Sequence, residues 1–152
     1  MQSTTITVLD DNTILFSIIL SLSAGKSLGI LVAGDSSNGV ESLVVSSSGQ
    51  NVFTGTLGGQ VSLWDVSSQV AKWQLAVSSG PVTRLVLDRG EEVLYCATEE
   101  GVMRAVDTRT GEAVAEWRGH SGPILDLVVS GQTGLTASDD GTARVWDVRV
   151  TR

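Results

Sequence analysis

Short apolar runs alternate with polar turns along most of the chain and recur at a regular spacing. Three segments that begin at Val40, Val82 and Ile124 each contain three such runs. Matching apolar positions step by 42 residues between the first two segments and by 42 or 40 between the second and third, because the third has a shorter first turn. Alternating runs of this length predict β-strands, and their regular spacing predicts an internal repeat.

Each repeat is predicted to form a small antiparallel sheet. The first two copies continue into a fourth apolar run, which starts at Val70 in one and at Ala113 in the other. The second turn of each copy carries a glycine, Gly59, Gly101 or Gly141, and tight hairpin turns need the positive φ that glycine accepts. Four antiparallel strands in every 40 to 45 residues are typical of a propeller blade. We therefore predict an all-β fold, a β-propeller of four-stranded antiparallel blades.

The repeats also predict how the chain is divided. Residues 34–152 are expected to hold three recognisable blades, at about 34–75, 76–117 and 118–152, and residues 1–33 a degenerate or partial N-terminal blade. Closed propellers have about four to eight blades, so the chain is expected to form a partial propeller. It is then either a piece of a larger protein, which is the favoured interpretation, or a chain that self-associates to complete the ring.

The last copy has three apolar runs and no fourth. In residues 4–8 the apolar Ile6 and Val8 alternate with threonine, and the segment is a candidate for the missing strand, which would join the two ends of the chain.

The third apolar run of each copy ends in a dipeptide that resembles a known family. The pairs are Trp64-Asp65, the weakened Val106-Asp107 and Trp146-Asp147, and Gly119-His120 precedes the last copy. Together they resemble the WD-repeat (WD40) β-propellers, most specifically in the third copy. The resemblance covers residues 34–152 and implies a protein-interaction scaffold.

The resemblance implies a structural hydrogen-bond set in the third copy. Its members by position are His120, Thr136, Asp140 and Trp146. Their chemistry is compatible with this role, because Trp only donates, Asp only accepts, and neutral His and Thr do both. The alternative, a nucleophilic triad of His120, Thr136 and Asp140, would need a pocket and an oxyanion hole, and the other copies carry nothing comparable.

A row of residues in the second turns is the candidate for partner binding. Leu57, Glu99 and Asp139 each stand just before the position that Asp140 holds in the last copy. The resemblance implies that this row projects from the face of the propeller that docks other proteins. Glu99, Glu100 and Asp139 would form an acidic rim that favours Arg or Lys on a partner. The alternative is a solvated turn without a partner.

Composition and charge exclude several function classes. The formal net charge is −7 and no run of Lys or Arg is present, so neither nucleic acid nor a membrane surface is expected as a direct partner. The apolar segment 14–22 is shorter than the roughly 20 residues of a membrane span, which predicts a buried strand. Cys96 is the single cysteine and His120 the single histidine, so we expect no disulfide, no metal site and no cofactor.

Two short motifs near the amino terminus have competing interpretations. Residues 23–27 resemble the end of a phosphate-binding loop, but Leu20 stands where that loop needs glycine, and a turn is expected instead. Residues 9–13 contain two aspartates and an asparagine, which suit calcium but are more often a hairpin turn.

The sequence predicts a non-catalytic scaffold or adaptor inside the cell, in the cytoplasm or the nucleus. This follows from the resemblance, and no residue identifies the partner. Two alternatives remain open: an incomplete gene product without independent activity, and an enzyme with a site in the central funnel, for which one histidine and scattered acids are sparse material.

Overall fold

The chain folds into β-strands joined by short turns. The computed structural model describes residues 3–8, 13–19, 27–33 and 38–150. These contain fourteen strands: β1 Ser3–Val8, β2 Thr13–Ile19, β3 Ser27–Val32, β4 Val40–Val45, β5 Asn51–Thr56, β6 Gln60–Asp65, β7 Val70–Ala76, β8 Val82–Leu87, β9 Val93–Thr98, β10 Val102–Asp107, β11 Ala113–Arg118, β12 Ile124–Ser130, β13 Thr133–Ser138 and β14 Ala143–Asp147.

The strands form four antiparallel sheets that follow one another along the chain. The first sheet contains β1–β3, the second β4–β7, the third β8–β11 and the fourth β12–β14. In each sheet, strands that are consecutive in sequence pair with one another. The predicted all-β fold with four-stranded antiparallel blades is confirmed, and the second and third sheets have all four strands within the described part of the chain.

The three repeats share their second turn in detail. Gly59, Gly101 and Gly141 have φ angles of 83°, 75° and 81°. A residue with a Cβ is disfavoured in this left-handed region, which explains why each copy carries glycine there.

The first strand β1 pairs with β2 and not with the fourth sheet. Its register joins Ser3 to Ile19 and Val8 to Ile14. The expectation that residues 4–8 supply a strand to the last blade is therefore wrong. A hairpin between neighbouring strands closes a much shorter loop than a pairing between the two ends of the chain, and its entropic cost is lower. The two amino-terminal motifs, at 9–13 and 23–27, lie mostly outside the described residues.

Successive sheets pack face to face through apolar rows that cross three strands. In the second sheet the row faces the third sheet, and in the third sheet the row faces the fourth. The rows are Val44, Phe53 and Leu63 in the second sheet and Val86, Tyr95 and Ala105 in the third. Each row belongs to the core because the next sheet covers it.

The second, third and fourth sheets converge at their first strands. β8 contacts both β4 and β12, and each of these three strands carries a bulge near its start. Near these bulges, hydroxyls form hydrogen bonds with the neighbouring sheet. Ser42 Oγ donates to the Val82 carbonyl at 2.6 Å, and Thr83 Oγ1 donates to the Ile124 carbonyl at 2.6 Å. These bonds fix the position of each sheet relative to the next.

Two predictions about single features have clear outcomes. Cys96 is fully buried in β9 and forms no disulfide, and its burial raises the pKa of the thiol to about 12, so it is inert at neutral pH. Part of the apolar segment 14–22 forms β2. Within the described ranges, no helix has the length and apolar character needed to cross a bilayer.

Candidate functional site

His120, Thr136, Asp140 and Trp146 lie together in one chain of hydrogen bonds. His120 precedes β12, Thr136 lies in β13, Asp140 in the following turn and Trp146 in β14. His120 Nδ1 is 2.8 Å from Asp140 Oδ2, and His120 Nε2 is 2.7 Å from Thr136 Oγ1. Trp146 Nε1 donates to the same Thr136 oxygen at 2.8 Å. Four side chains from four segments thus join in the order Asp140, His120, Thr136, Trp146.

The donors and acceptors of this chain match one another without a missing proton. The Asp140 carboxylate only accepts, so His120 Nδ1 carries the hydrogen that points to it. In the neutral imidazole Nε2 then accepts from the Thr136 hydroxyl, whose oxygen accepts from the Trp146 indole N–H. The side-chain polar groups of these four residues are therefore all hydrogen-bonded, as buried groups require.

Asp140 is held in its ionised form by the turn around it. The Thr142 hydroxyl donates to Oδ1 at 2.6 Å, and the Ser121 amide donates to Oδ2 at 3.0 Å. The Thr142 hydroxyl first, then His120 and the Ser121 amide, keep the pKa of Asp140 well below its usual range. Hydrogen bonds to a carboxylate stabilise its charged form.

The geometry gives the triad interpretation no support. Thr136 is buried, and its oxygen is already shared by His120 and Trp146. A nucleophile needs an accessible oxygen beside a reacting group. Among the described residues, no group of three or more His, Cys, Asp and Glu side chains is placed to hold a metal ion.

The third sheet replaces half of this set with apolar residues. Cys96 and Val106 occupy the positions of Thr136 and Trp146, and both are fully buried. At the other end of the set, Glu100 accepts from the hydroxyl and the amide of Ser79, the amide at 2.9 Å. The Ser79 hydroxyl, and then its amide, lower the pKa of Glu100. The link from the turn to the preceding loop therefore persists without histidine.

The second sheet keeps the Thr–Trp half of the set, which the third sheet lacks. Trp64 Nε1 donates to Thr54 Oγ1 at 3.0 Å, as Trp146 does to Thr136. The turn carries Gly58 in place of an acid, and its amide donates to Asn38 Oδ1 at 2.5 Å. Here the loop supplies the acceptor and the turn supplies the donor. Ser36, the residue at the position of His120, lies outside the described residues.

Sequence reasoning did not find the Ser79 and Asn38 contacts. A signal for the first was available: Ser79 stands 42 residues before Ser121, and Glu100 stands 40 residues before Asp140. Both serines donate a backbone amide to the acid of the same sheet. No comparable signal marks Asn38, because in this sheet the acceptor side chain lies in the loop and the turn donates its amide.

The acidic rim lies on turns whose backbones are fixed. The amides of Leu57, Glu99 and Asp139 donate to carbonyls of the preceding loops at 2.8, 3.0 and 3.0 Å, so the three turns have the same attachment. All three side chains are exposed. Glu100 is exposed as well, but its carboxylate binds Ser79. The rim thus presents Glu99 and Asp139 to solvent, while Glu100 also has a structural contact.

Antiparallel sheets that converge at their first strands and stack through apolar rows define a partial β-propeller. A family model described as "WD domain, G-beta repeat" matches residues 25–65 and 111–147, about half of the chain. The chain belongs to the WD40 repeat family, which confirms the resemblance. At the level of this family, the repeats support a protein-interaction role.

Similar proteins and solved structures agree with this assignment. The angio-associated migratory cell protein of Canis lupus familiaris is 35% identical over 115 residues, which are 74% of this chain and 26% of that protein. The solved structure of Saccharomyces cerevisiae Sqt1 matches 96% of this chain and 41% of its own, with a TM-score of 0.82 and 21% identity. The RRP9 WD40 repeats match 95% and 44%, with a TM-score of 0.83 and 22% identity. The chain spans about a quarter of the length of the curated relative.

Proposed function

We propose that this chain is a non-catalytic protein-interaction scaffold or adaptor that works inside the cell, in the cytoplasm or the nucleus. Its membership of the WD40 family supports a role in binding proteins. The observation that carries the proposal is the acidic rim, in which the exposed Glu99 and Asp139 stand on turns of two adjacent sheets that are held by the same backbone hydrogen bond.

Rigid turns make the rim suitable for binding. Because the Glu99 and Asp139 backbones are already bonded to Pro81 and Pro123, a partner orders little more than the two side chains. Such preorganisation lowers the entropic cost of association. The hydrogen-bonded set of the fourth sheet also fixes the turn that carries Asp139, since Asp140 is the next residue and is hydrogen-bonded to His120.

The charge of the rim defines the partner's chemistry. Two carboxylates on adjacent sheets, in a chain of net charge −7, favour a protein segment that carries Lys or Arg. The same charge disfavours direct contact with nucleic acid or an anionic membrane. A second copy of the chain is a further proposed partner, because apolar sheet faces are exposed elsewhere on the molecule.

An array of peptides that differ in their number of Lys and Arg residues tests the rim. We expect the wild-type chain to retain basic peptides in a salt-sensitive manner, and the double variant Glu99→Lys/Asp139→Lys to lose at least tenfold in binding. Glu100 is left intact because its reversal would also break the contacts with Ser79. Melting temperatures should hardly change, since exposed charges contribute little to folding.

Glu112→Lys is the control, and it is matched in charge to the single rim variant Glu99→Lys, which is measured beside the double variant. Glu112 is exposed on the turn before β11, at the end of the third sheet opposite Glu99. Its reversal changes the net charge without touching the rim, so it should leave most of the binding. Equal losses in the rim and control variants would show that only overall charge matters, and unaltered binding in the double variant would place the docking surface elsewhere.

A further inference from the structure

A cavity of about 300 Å³ lies between the second and third sheets, at the end of the molecule opposite the acidic rim. Phe53 and Leu63 line it with buried apolar side chains. Both sheets have all four strands, so the cavity does not depend on either end of the chain. Small-ligand sites in proteins begin at about this volume.

Glu91 lines the cavity in a backbone conformation that other repeats give to glycine. Its φ angle is 58°, and Gly49 and Gly131, at the same position of the second and fourth sheets, have φ angles of 71° and 58°. The Glu91 amide donates to the Asp88 carbonyl at 3.0 Å, as the Gly49 amide does to the Ser46 carbonyl at 2.9 Å. Residues with a Cβ are disfavoured in this left-handed region. The third sheet therefore keeps a strained glutamate where glycine would fold more easily.

Two further polar side chains at the cavity stand at positions that are apolar in the next repeat. Asn51 and Lys72 line the cavity from the second sheet. They precede Val93 and Val114 of the third sheet by 42 residues each. A blade of this chain thus forms with valine at both positions, and the polar lining is not a requirement of the repeat.

The charged groups keep bonding capacity beyond their contacts within the chain. Lys72 Nζ is 2.8 Å from Asn51 Oδ1 and 3.2 Å from Asp65 Oδ2, so one of its three N–H groups stays available. Glu91 Oε1 accepts from a backbone amide of the turn between β4 and β5, which leaves Oε2 open. Among the described residues, the Arg109 guanidinium has no hydrogen-bond or ion-pair partner.

These groups match a small zwitterion that carries an apolar side chain. The open oxygen of Glu91 suits an ammonium group, and the cations of Lys72 and Arg109 suit a carboxylate. Asp65 balances Lys72, and Glu91 balances Arg109, so a ligand without net charge fits the lining. The two buried apolar side chains provide a surface for the apolar part of the ligand.

We propose that this cavity binds a free α-amino acid with an apolar side chain, such as leucine or phenylalanine. The ligand's ammonium bonds the Glu91 carboxylate, and its carboxylate accepts from Lys72 and Arg109. Its side chain packs on Phe53 and Leu63. The strain at Glu91 then has a role, because glycine at this position would offer no carboxylate.

Isothermal titration calorimetry of the full chain with L-leucine and L-phenylalanine tests the proposal. We expect saturable binding of one ligand per chain. N-acetyl-leucine lacks the ammonium charge and leucine amide lacks the carboxylate, so each should bind at least tenfold more weakly than leucine. Glycine, which has no side chain to cover the apolar surface, should also bind more weakly.

Glu91→Gly restores the residue of the other two repeats and separates binding from folding. It should lower leucine affinity at least tenfold and remove the preference for leucine over N-acetyl-leucine. The melting temperature should not fall, because relief of the strain offsets the lost hydrogen bond. Gln69→Gly is the matched control, since Gln69 also has a φ angle of 58° but does not line the cavity, and it should leave affinity unchanged.

Lys72→Val provides a second variant if Glu91→Gly does not melt cooperatively. Valine stands at the same position of the third sheet, in Val114. The substitution removes a partner of the ligand's carboxylate, so it should weaken leucine and narrow the difference between leucine and leucine amide.

The outcomes distinguish the zwitterion from other occupants. Absence of leucine and phenylalanine binding at millimolar concentration, or unchanged affinity in Glu91→Gly, would overturn the proposal. N-acetyl-leucine amide that binds as tightly as leucine would also overturn it and would assign the cavity to a peptide segment. Binding of basic peptides at Glu99 and Asp139 is measured at the other end of the molecule, so neither result decides the other.

Discussion

The third and fourth sheets fold in the same way with different residues at the same positions. The fourth sheet joins Asp140, His120, Thr136 and Trp146 through hydrogen bonds of 2.7 to 2.8 Å. The third sheet keeps an acid, Glu100, bonded to the preceding loop, but fills the positions of Thr136 and Trp146 with Cys96 and Val106. A blade can therefore form with either a polar or an apolar interior at this site.

The difference indicates that a buried donor and its acceptor at these positions have to be replaced together. Replacing a donor and its acceptor together by apolar groups leaves no buried group without a partner, and such exchanges are nearly neutral. Replacing one alone leaves the other unsatisfied. Cys96 and Val106 are such a paired exchange. The bond between the acid and the preceding loop needs no exchange, because Ser79 and Ser121 each donate a backbone amide to the acid of their own sheet.

The largest expected effect is that of Trp146→Ala in the fourth sheet. Loss of the indole creates a cavity and removes the bond to Thr136, and we expect a loss of about 3 kcal/mol in the free energy of unfolding. Val106→Ala at the same position of the third sheet removes less volume and no hydrogen bond, so its loss should be smaller. Urea denaturation measures both. A melting temperature within a degree or two of wild type for Trp146→Ala would contradict the structural role.

A smaller effect is expected from acid at the two turns. The pKa values of Asp140 and Glu100 are both lowered in the folded chain, chiefly by the hydroxyls of Thr142 and Ser79. A lowered pKa stabilises the folded state above the unfolded value of about 4, and this contribution is lost as pH falls toward the folded value. Melting temperature should therefore drop below about pH 4 in wild type and less in Asp140→Asn and Glu100→Gln.

The comparison of the two sheets sets the expected order of the acid effects. Asp140 accepts hydrogen bonds from three residues, Thr142, His120 and Ser121, whereas the bonds of Glu100 come from Ser79, so Asp140→Asn should reduce the fall in melting temperature at low pH more than Glu100→Gln. Melting curves between pH 2 and 6 provide the measurement. The same fall in melting temperature at low pH in wild type and both variants would mean that other carboxyl groups cause the loss of stability in acid.

The repeat made most of the fold predictable from the sequence. The spacing of apolar runs and the glycines of the second turns predicted antiparallel blades, because these features are local and recur in each copy. The pairing of β1 was predicted wrongly, since residues 4–8 have an alternating pattern that does not specify which neighbour they choose. The division at residue 34 stays a prediction.

The candidate site was predictable only in part. The resemblance grouped His120, Thr136, Asp140 and Trp146, and the structure places them within hydrogen-bond distance; their effect on stability and the binding role of the rim stay predictions. The bond from Ser42 to the Val82 carbonyl depends on how two sheets stack, so no single repeat encodes it. The exposure of Leu135 was equally hidden, because it stands at the same position of its repeat as the buried Phe53 and Tyr95.

A double-mutant cycle between Thr136 and Trp146 tests the central claim most directly. Thr136→Val removes the shared hydroxyl, and Trp146→Phe removes the indole N–H while keeping an aromatic ring. If the two groups bond as described, the double variant should lose about 1 kcal/mol less free energy of unfolding in urea than the sum of the two single losses. Losses that add within about 0.3 kcal/mol would show that Thr136 and Trp146 act independently, and would contradict the hydrogen-bonded set.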